Sequence, residues 1–85
     1  MDIEFSKHAM EQMALRGISH AEVMAVLRAP GQVIREVNYV IFQSVVDDGG
    51  QRFLFRIFVN DHRSPNLVIT VYKTTKINKY YEGEI

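Results

Sequence analysis

The sequence predicts an α+β domain in which two N-terminal helices pack on one face of a four-stranded antiparallel sheet. Three observations carry this. Residues 7 to 28 place apolar side chains at helical spacing, interrupted at Gly17 and ended by Ala29-Pro30-Gly31. From Gln32 onward the chain turns to β-branched and aromatic residues in alternation. Asp47-Asp48-Gly49-Gly50 is a hairpin signal, since glycine supplies the positive φ that a tight turn between antiparallel strands requires.

The first helix is expected from about Lys7 to Arg16, with Ser6 as N-cap and Gly17 as a left-handed stop. At about 100° per residue, Ala9, Met10, Met13 and Ala14 gather on one side and His8, Gln12 and Arg16 form a polar stripe that Leu15 breaks. A helix this short is stabilised mainly by burying its methionine side, which leaves His8 and Arg16 facing away from that contact. A fixed histidine and arginine suit acid–base and phosphate chemistry, and a solvated helix face presents the same pattern.

Ser19 opens the second helix, about residues 20–28, and Glu22 completes a capping box. Ala21, Val23, Met24, Val26 and Leu27 make it apolar over a wide arc, so it is expected to be mostly buried. Strands follow at about 32–37, 39–46, 51–59 and 67–73, with a loop from Asn60 to Asn66 and a basic, aromatic tail over 74–85. Neither repeat nor linker divides the 85 residues, so one domain is expected.

Alternation along the strands assigns faces. Phe53, Phe55, Ile57 and Val59 point one way and Arg52, Leu54, Arg56 and Phe58 the other. In the last strand Leu67, Ile69 and Val71 are expected to join the phenylalanines in the core, sending Val68, Thr70 and Tyr72 to the opposite face. Arg52, Arg56, Thr70 and Tyr72 then converge on a phosphate-compatible surface. In the competing reading Leu54, Phe58 and Val68 make this face a second apolar layer, with the arginines paired to carboxylates at its rim.

Net charge is zero but unevenly spread, −3 over residues 1–50 and +3 over residues 51–85. Between Arg52 and Lys79 only Asp61 opposes six basic residues, which suits a polyanion or ordinary protection of strand edges. With no cysteine there is neither a disulfide framework nor a thiolate nucleophile. His8, His20 and His62 lack metal-like spacing, and His20 and His62 are expected in solvent. The chain has no phosphate-cradling glycine loop and no nucleophile elbow, so neither cofactor nor metal is expected. The N-terminus lacks a signal-peptide pattern and no apolar run is long enough to span a bilayer, so a soluble, unprocessed cytoplasmic protein without membrane contact is expected. What remains is metal-independent phosphodiester chemistry, feasible on RNA because its own 2′-OH is the nucleophile and the protein supplies only a base, an acid and cationic stabilisation.

The stretches FSKHAMEQMALRGIS, VMAVLRAPGQVI, QRFLFRIFVN and LVITVYKTTKINKYY resemble the small bacterial proteins grouped as domain of unknown function 4258, over nearly the whole chain. That family is placed with the barnase–EndoU–colicin–RelE type of fold, so the resemblance implies a RelE-like toxin fold and raises RNA cleavage as an activity. It points to His8, Arg16, Arg56, Thr70 and Tyr72 as catalytic residues. His8 would act as base or acid, Arg16 and Arg56 would hold the scissile phosphate, and Thr70 and Tyr72 would hydrogen-bond it or stack a base. Arg52, Lys73, Lys76, Lys79, Tyr80 and Tyr81 form the expected RNA- or partner-binding set. RelE-like toxins are often strongly basic and this chain is neutral, which leaves room for a ribosome or a cognate antitoxin protein as partner. The alternatives are a non-catalytic module that binds nucleic acid or protein, and a degenerate relative that keeps the scaffold without the chemistry.

Overall fold

The computed structural model describes residues 2–83. Within them the order is β1 (Ile3–Phe5), α1 (Lys7–Arg16), α2 (His20–Arg28), β2 (Gln32–Arg35), β3 (Val40–Asp48), β4 (Gln51–Asn60), β5 (Asn66–Thr74) and α3 (Ile77–Tyr80). The expected four-stranded antiparallel sheet is therefore corrected to a five-stranded mixed sheet, in the order β1-β5-β4-β3-β2. Its one parallel pair joins β1 to β5, with Ile3 opposite Asn66 and Phe5 opposite Val68. The backbone hydrogen bonds from Asn66 N to Asp2 O, 3.0 Å, and from Ser6 N to Val68 O, 2.9 Å, close the two ends of that pair. Three residues show barely one cycle of alternation, so β1 reads in the sequence as a lead-in to the helix.

The helix ends follow from their caps. Ser6 Oγ accepts from Ala9 N at 3.0 Å, and Gly17 takes φ 64°, a left-handed value that costs a residue with a Cβ more than it costs glycine. Around α2 the box is reciprocal, Glu22 N donating to Ser19 Oγ at 3.1 Å and Ser19 N to Glu22 Oε1 at 2.9 Å. On α1 only Ala9 and Met13 are buried, while Met10 is 54% exposed. Two of the three residues of the polar stripe reach the sheet against expectation: Gln12 Oε1 accepts from Val71 N at 3.0 Å and Arg16 Nη1 donates to Val71 O at 3.5 Å, while His8 stays exposed. Ser6 Oγ also lies 3.4 Å from Ile69 O. Where β1 stops, α1 thus runs along the margin of β5 and its side chains take over backbone groups that a strand would otherwise bond.

The front of the sheet carries the main core, in which Val40, Phe55, Ile57, Val59, Val68 and Val71 meet Ala9, Met13, Val23, Val26 and Leu27 of the helices. Val68 is a second correction. A register shift at Phe58/Val59 lets Val68 pair with Val59 while Thr70 pairs with Phe58, leaving Ile69 as an extra residue. Such a bulge resets the alternation, so Val68 and Val71 both face the core. Thr70 and Tyr72 point to the back, as the alternation predicts.

The first hairpin is shorter than expected because Glu36 N bonds Tyr39 O at 2.9 Å, turning the chain before Val37 can extend β2. The second is longer, since Asp47 and Asp48 stay in register with Arg52 and Gln51 around Gly49 and Gly50, at φ 59° and 82°. The tail is the third correction: it forms α3, which crosses the back of the sheet and gives that face its own cover.

Candidate functional site

Register alone lines up the centre of the back face, with Gln43 of β3 opposite Arg56 of β4 and Arg56 opposite Tyr72 of β5. Arg56 Nε donates to Gln43 Oε1 at 2.9 Å and Nη1 donates to the Tyr72 hydroxyl at 2.7 Å. Its Cζ lies 4.4 Å from the centroid of Tyr80, 5.1 Å from Phe58 and 5.8 Å from Tyr72. The residue is only 7% exposed, and no carboxylate among the described residues pairs with it. Burying a charge is costly, and here that cost is offset by neutral hydrogen bonds and three aromatic faces.

The polar chain continues outward. Gln43, fully buried, donates through Nε2 to Gln32 Oε1 and, at 3.2 Å, to the Tyr80 carbonyl. Gln32 in turn donates to Glu82 O at 2.7 Å and accepts from Glu82 N at 3.0 Å. Beside this chain lies a row of half-buried rings, Tyr39 to Phe58 at 5.4 Å and Phe58 to Tyr72 at 6.1 Å between centroids. The row runs from Tyr39, just before β3, across β4 and β5 and presents ring surface next to the guanidinium.

Of the residues singled out in the sequence, Arg56, Thr70 and Tyr72 share this face, and Tyr80 lies over Arg56. His8 is exposed on α1, without a hydrogen bond or ion pair among the described residues, and Arg16 is spent on Val71 O. Arg52 sits near the β3–β4 turn, 3.8 Å from Asp47. Lys73 faces the front, held by Glu22 at 3.1 Å and Asp48 at 3.3 Å, with Nζ 5.5 Å from the Phe55 ring. Lys76 and Lys79 are exposed on the tail, Lys79 Nζ lying 5.2 Å from the Tyr80 ring, and Tyr81 is half-buried with its N–H on Ile77 O. The last two tail residues, Glu84 and Ile85, lie outside the described residues.

Folding thus undoes the charge asymmetry of the sequence. Arg63 meets Glu4 at 3.0 Å, and Lys73 meets two acids of the N-terminal half. Glu22 is held below its ordinary pKa, first by the hydrogen bond from the Ser19 amide and then by that from Lys73. Burial opposes the charge on Lys73, yet its bonds to Glu22 and Asp48 outweigh that and raise its pKa. Arg35 likewise holds the Asp61 carboxyl below the usual range through its hydrogen bonds. A cleft of about 490 Å³ opens beside Lys73, between Glu22, Val26, Val46, Asp48 and Phe55. Its one lysine is already held by two carboxylates, whereas Arg56 on the back face has no acidic partner among the described residues. Among the described residues, no group of three or more histidine, aspartate or glutamate side chains is placed to hold a metal ion.

Gln43, Gln32, Tyr39 and Phe58 were absent from the sequence-derived site. Gln43 had a signal, a polar residue in the middle of the apolar run from Val40 to Val46. Phe58 was placed on the Arg56 face by alternation but read as apolar cover, and Tyr39 had no signal, since a ring on a strand is ordinarily core.

A family model described as Domain of unknown function (DUF4258) matches residues 5–73, a span that contains Arg56 and Tyr72 and ends before the tail. No curated protein and no solved structure matches the chain.

Proposed function

The chain belongs to this family of domains of unknown function, and from the geometry of the back face we propose that it binds single-stranded RNA there. The carrying observation is the juxtaposition of a buried arginine without an acidic partner among the described residues and a row of half-buried rings 5.4 and 6.1 Å apart. Bases stack on such rings and a phosphate bonds the guanidinium, which together favour single strands over duplexes. Exposed Lys76 and Lys79 add attraction for the flanking backbone. With most other cations paired internally, few phosphates are contacted and the salt dependence is shallow.

A second reading, metal-independent cleavage of the bound strand, is favoured by one observation. His8 is exposed and unpaired among the described residues, on the helix whose Gln12 and Arg16 reach the margin of β5, the strand that carries Thr70 and Tyr72. In this reading His8 takes the 2′-OH proton, the 2′-oxygen bonds to phosphorus as the P–O5′ bond breaks, and the 5′-oxygen leaves with a proton from the imidazolium or from water. A ribosome or an antitoxin-like protein would then be the partner that presents or blocks the substrate.

Both readings meet in one experiment, titration of end-labelled single-stranded RNA with the full chain, followed by gel analysis of RNA length. Saturable binding that Arg56→Met weakens by more than about tenfold, with the RNA left intact, is the expected result. Shortening that His8→Ala prevents would replace binding by cleavage. Absence of binding at low salt would overturn the RNA reading.

A further inference from the structure

We propose that the tail from Lys76 to Gly83 is a lid, which occupies the Arg56 site in the free protein and gives way when an RNA phosphate enters. The proposal rests on the RNA reading above and adds its regulation. Of the three rings around the guanidinium, Phe58 and Tyr72 are fixed on central strands, whereas Tyr80, at 4.4 Å the closest, belongs to the tail. The helix that carries it is a single turn, and the residue at its N-cap, Lys76, makes no side-chain capping bond. Isolated turns of this length do not persist without external contacts.

Those contacts are few and exchangeable. Gln32 bonds both peptide groups of Glu82, Gln43 bonds the Tyr80 carbonyl, and Ile77 is buried. Each hydrogen bond is between neutral groups, so water or a ligand replaces it at small net loss. A phosphate offers the guanidinium a charge-assisted bond in place of a ring face, so the exchange at Arg56 favours the ligand once it arrives. Gln43 and Tyr72 lie in the sheet and keep holding Arg56 when Tyr80 leaves. The family match includes the arginine and its two strand partners but ends at Lys73, so the cover lies outside the shared span.

The test uses the full chain, its Gln32→Ala variant and a single-stranded oligouridylate. If the tail is a lid, loosening it raises the fraction of open molecules, and Gln32→Ala binds roughly three- to tenfold more tightly than the parent. Tyr80→Ala shifts affinity in the same direction. In the parent, ¹⁵N order parameters of residues 77 to 82 fall on RNA addition while those of β4 and β5 do not. Binding with unchanged or rising order in the tail, or weaker binding by Gln32→Ala, would overturn the lid and leave the RNA reading standing. No binding by the parent or either variant would instead remove the RNA reading, and the lid with it.

Discussion

The two faces of the sheet are built on the same strands yet do opposite things with burial. Phe55 and Arg56 are neighbours in β4, and both are buried. Phe55 sits in an apolar front layer closed by two capped helices, with the charges around it paired to one another. Arg56 sits in a mixed back layer, where polar side chains lie beside buried Ile41, Leu54 and Ile77, closed by one turn of helix and a few neutral hydrogen bonds. Removing water from apolar area stabilises the fold, whereas removing it from an arginine does not. The front face therefore carries most of the apolar burial, and the back face holds a buried charge without an acidic partner among the described residues.

That contrast is broken most severely by Phe55→Ala, which should lose about 3–5 kcal/mol, the usual range for a fully buried phenylalanine. Urea denaturation measures it, and a loss under about 1 kcal/mol would mean that the front layer is not the principal core. Arg56→Met tests the other side. The substitution leaves buried Gln43 Oε1 without its donor but relieves the cost of a buried charge, so stability should fall by no more than about 2 kcal/mol, while RNA affinity falls by the roughly 1.5–3 kcal/mol of a charged hydrogen bond. A stability loss above about 2 kcal/mol would make Arg56 a structural strut and erase the difference between the faces.

Ser19→Ala should lower stability by about 1 kcal/mol through the lost N-cap and leave RNA affinity per folded molecule unchanged. The smallest effect concerns pH. The depressed carboxyl of Glu22 contributes stability that is fully present above its ordinary pKa of 4.5 and is lost as pH falls through its folded value. Lys73, raised, contributes stability present below its ordinary 10.5 and lost as pH rises through its folded value. Glu22→Gln keeps an acceptor for the Ser19 amide and removes the charge, so melting temperatures across pH should decline less steeply at the acid end. An identical acid decline in parent and variant would assign it to other carboxylates, Asp61 foremost.

What the sequence made legible were the features set by local chemistry. Ser6, Gly17, Ser19 and Glu22 announce the helix ends, and Gly49-Gly50 the hairpin, because each meets its physical requirement within a few residues. The features it hid depend on distant partners. β1 exists only because β5, more than sixty residues away, accepts it, and the bulge that returns Val68 to the core depends on pairing with β4. For the site, Arg56, Thr70 and Tyr72 were placed on one face by alternation alone. Their covering by Tyr80 was not foreseeable, since four residues from Ile77 to Tyr80 carry no helical pattern. Nor was the use of Gln12 and Arg16 along β5, where a polar stripe that reads as solvated is instead spent on peptide groups.

That last feature bears on how copies of the chain behave at high concentration. With zero net charge and an isoelectric point near 6.8, charge repulsion does little to keep copies apart at neutral pH. Joining sheet to sheet needs a row of vacant peptide donors and acceptors, and beyond the three residues of β1 the side chains of α1 occupy Val71 N and Val71 O. A neighbouring molecule meets a helix there instead of a template for another strand. The polar stripe of α1 thus supplies colloidal restraint that the charge balance does not.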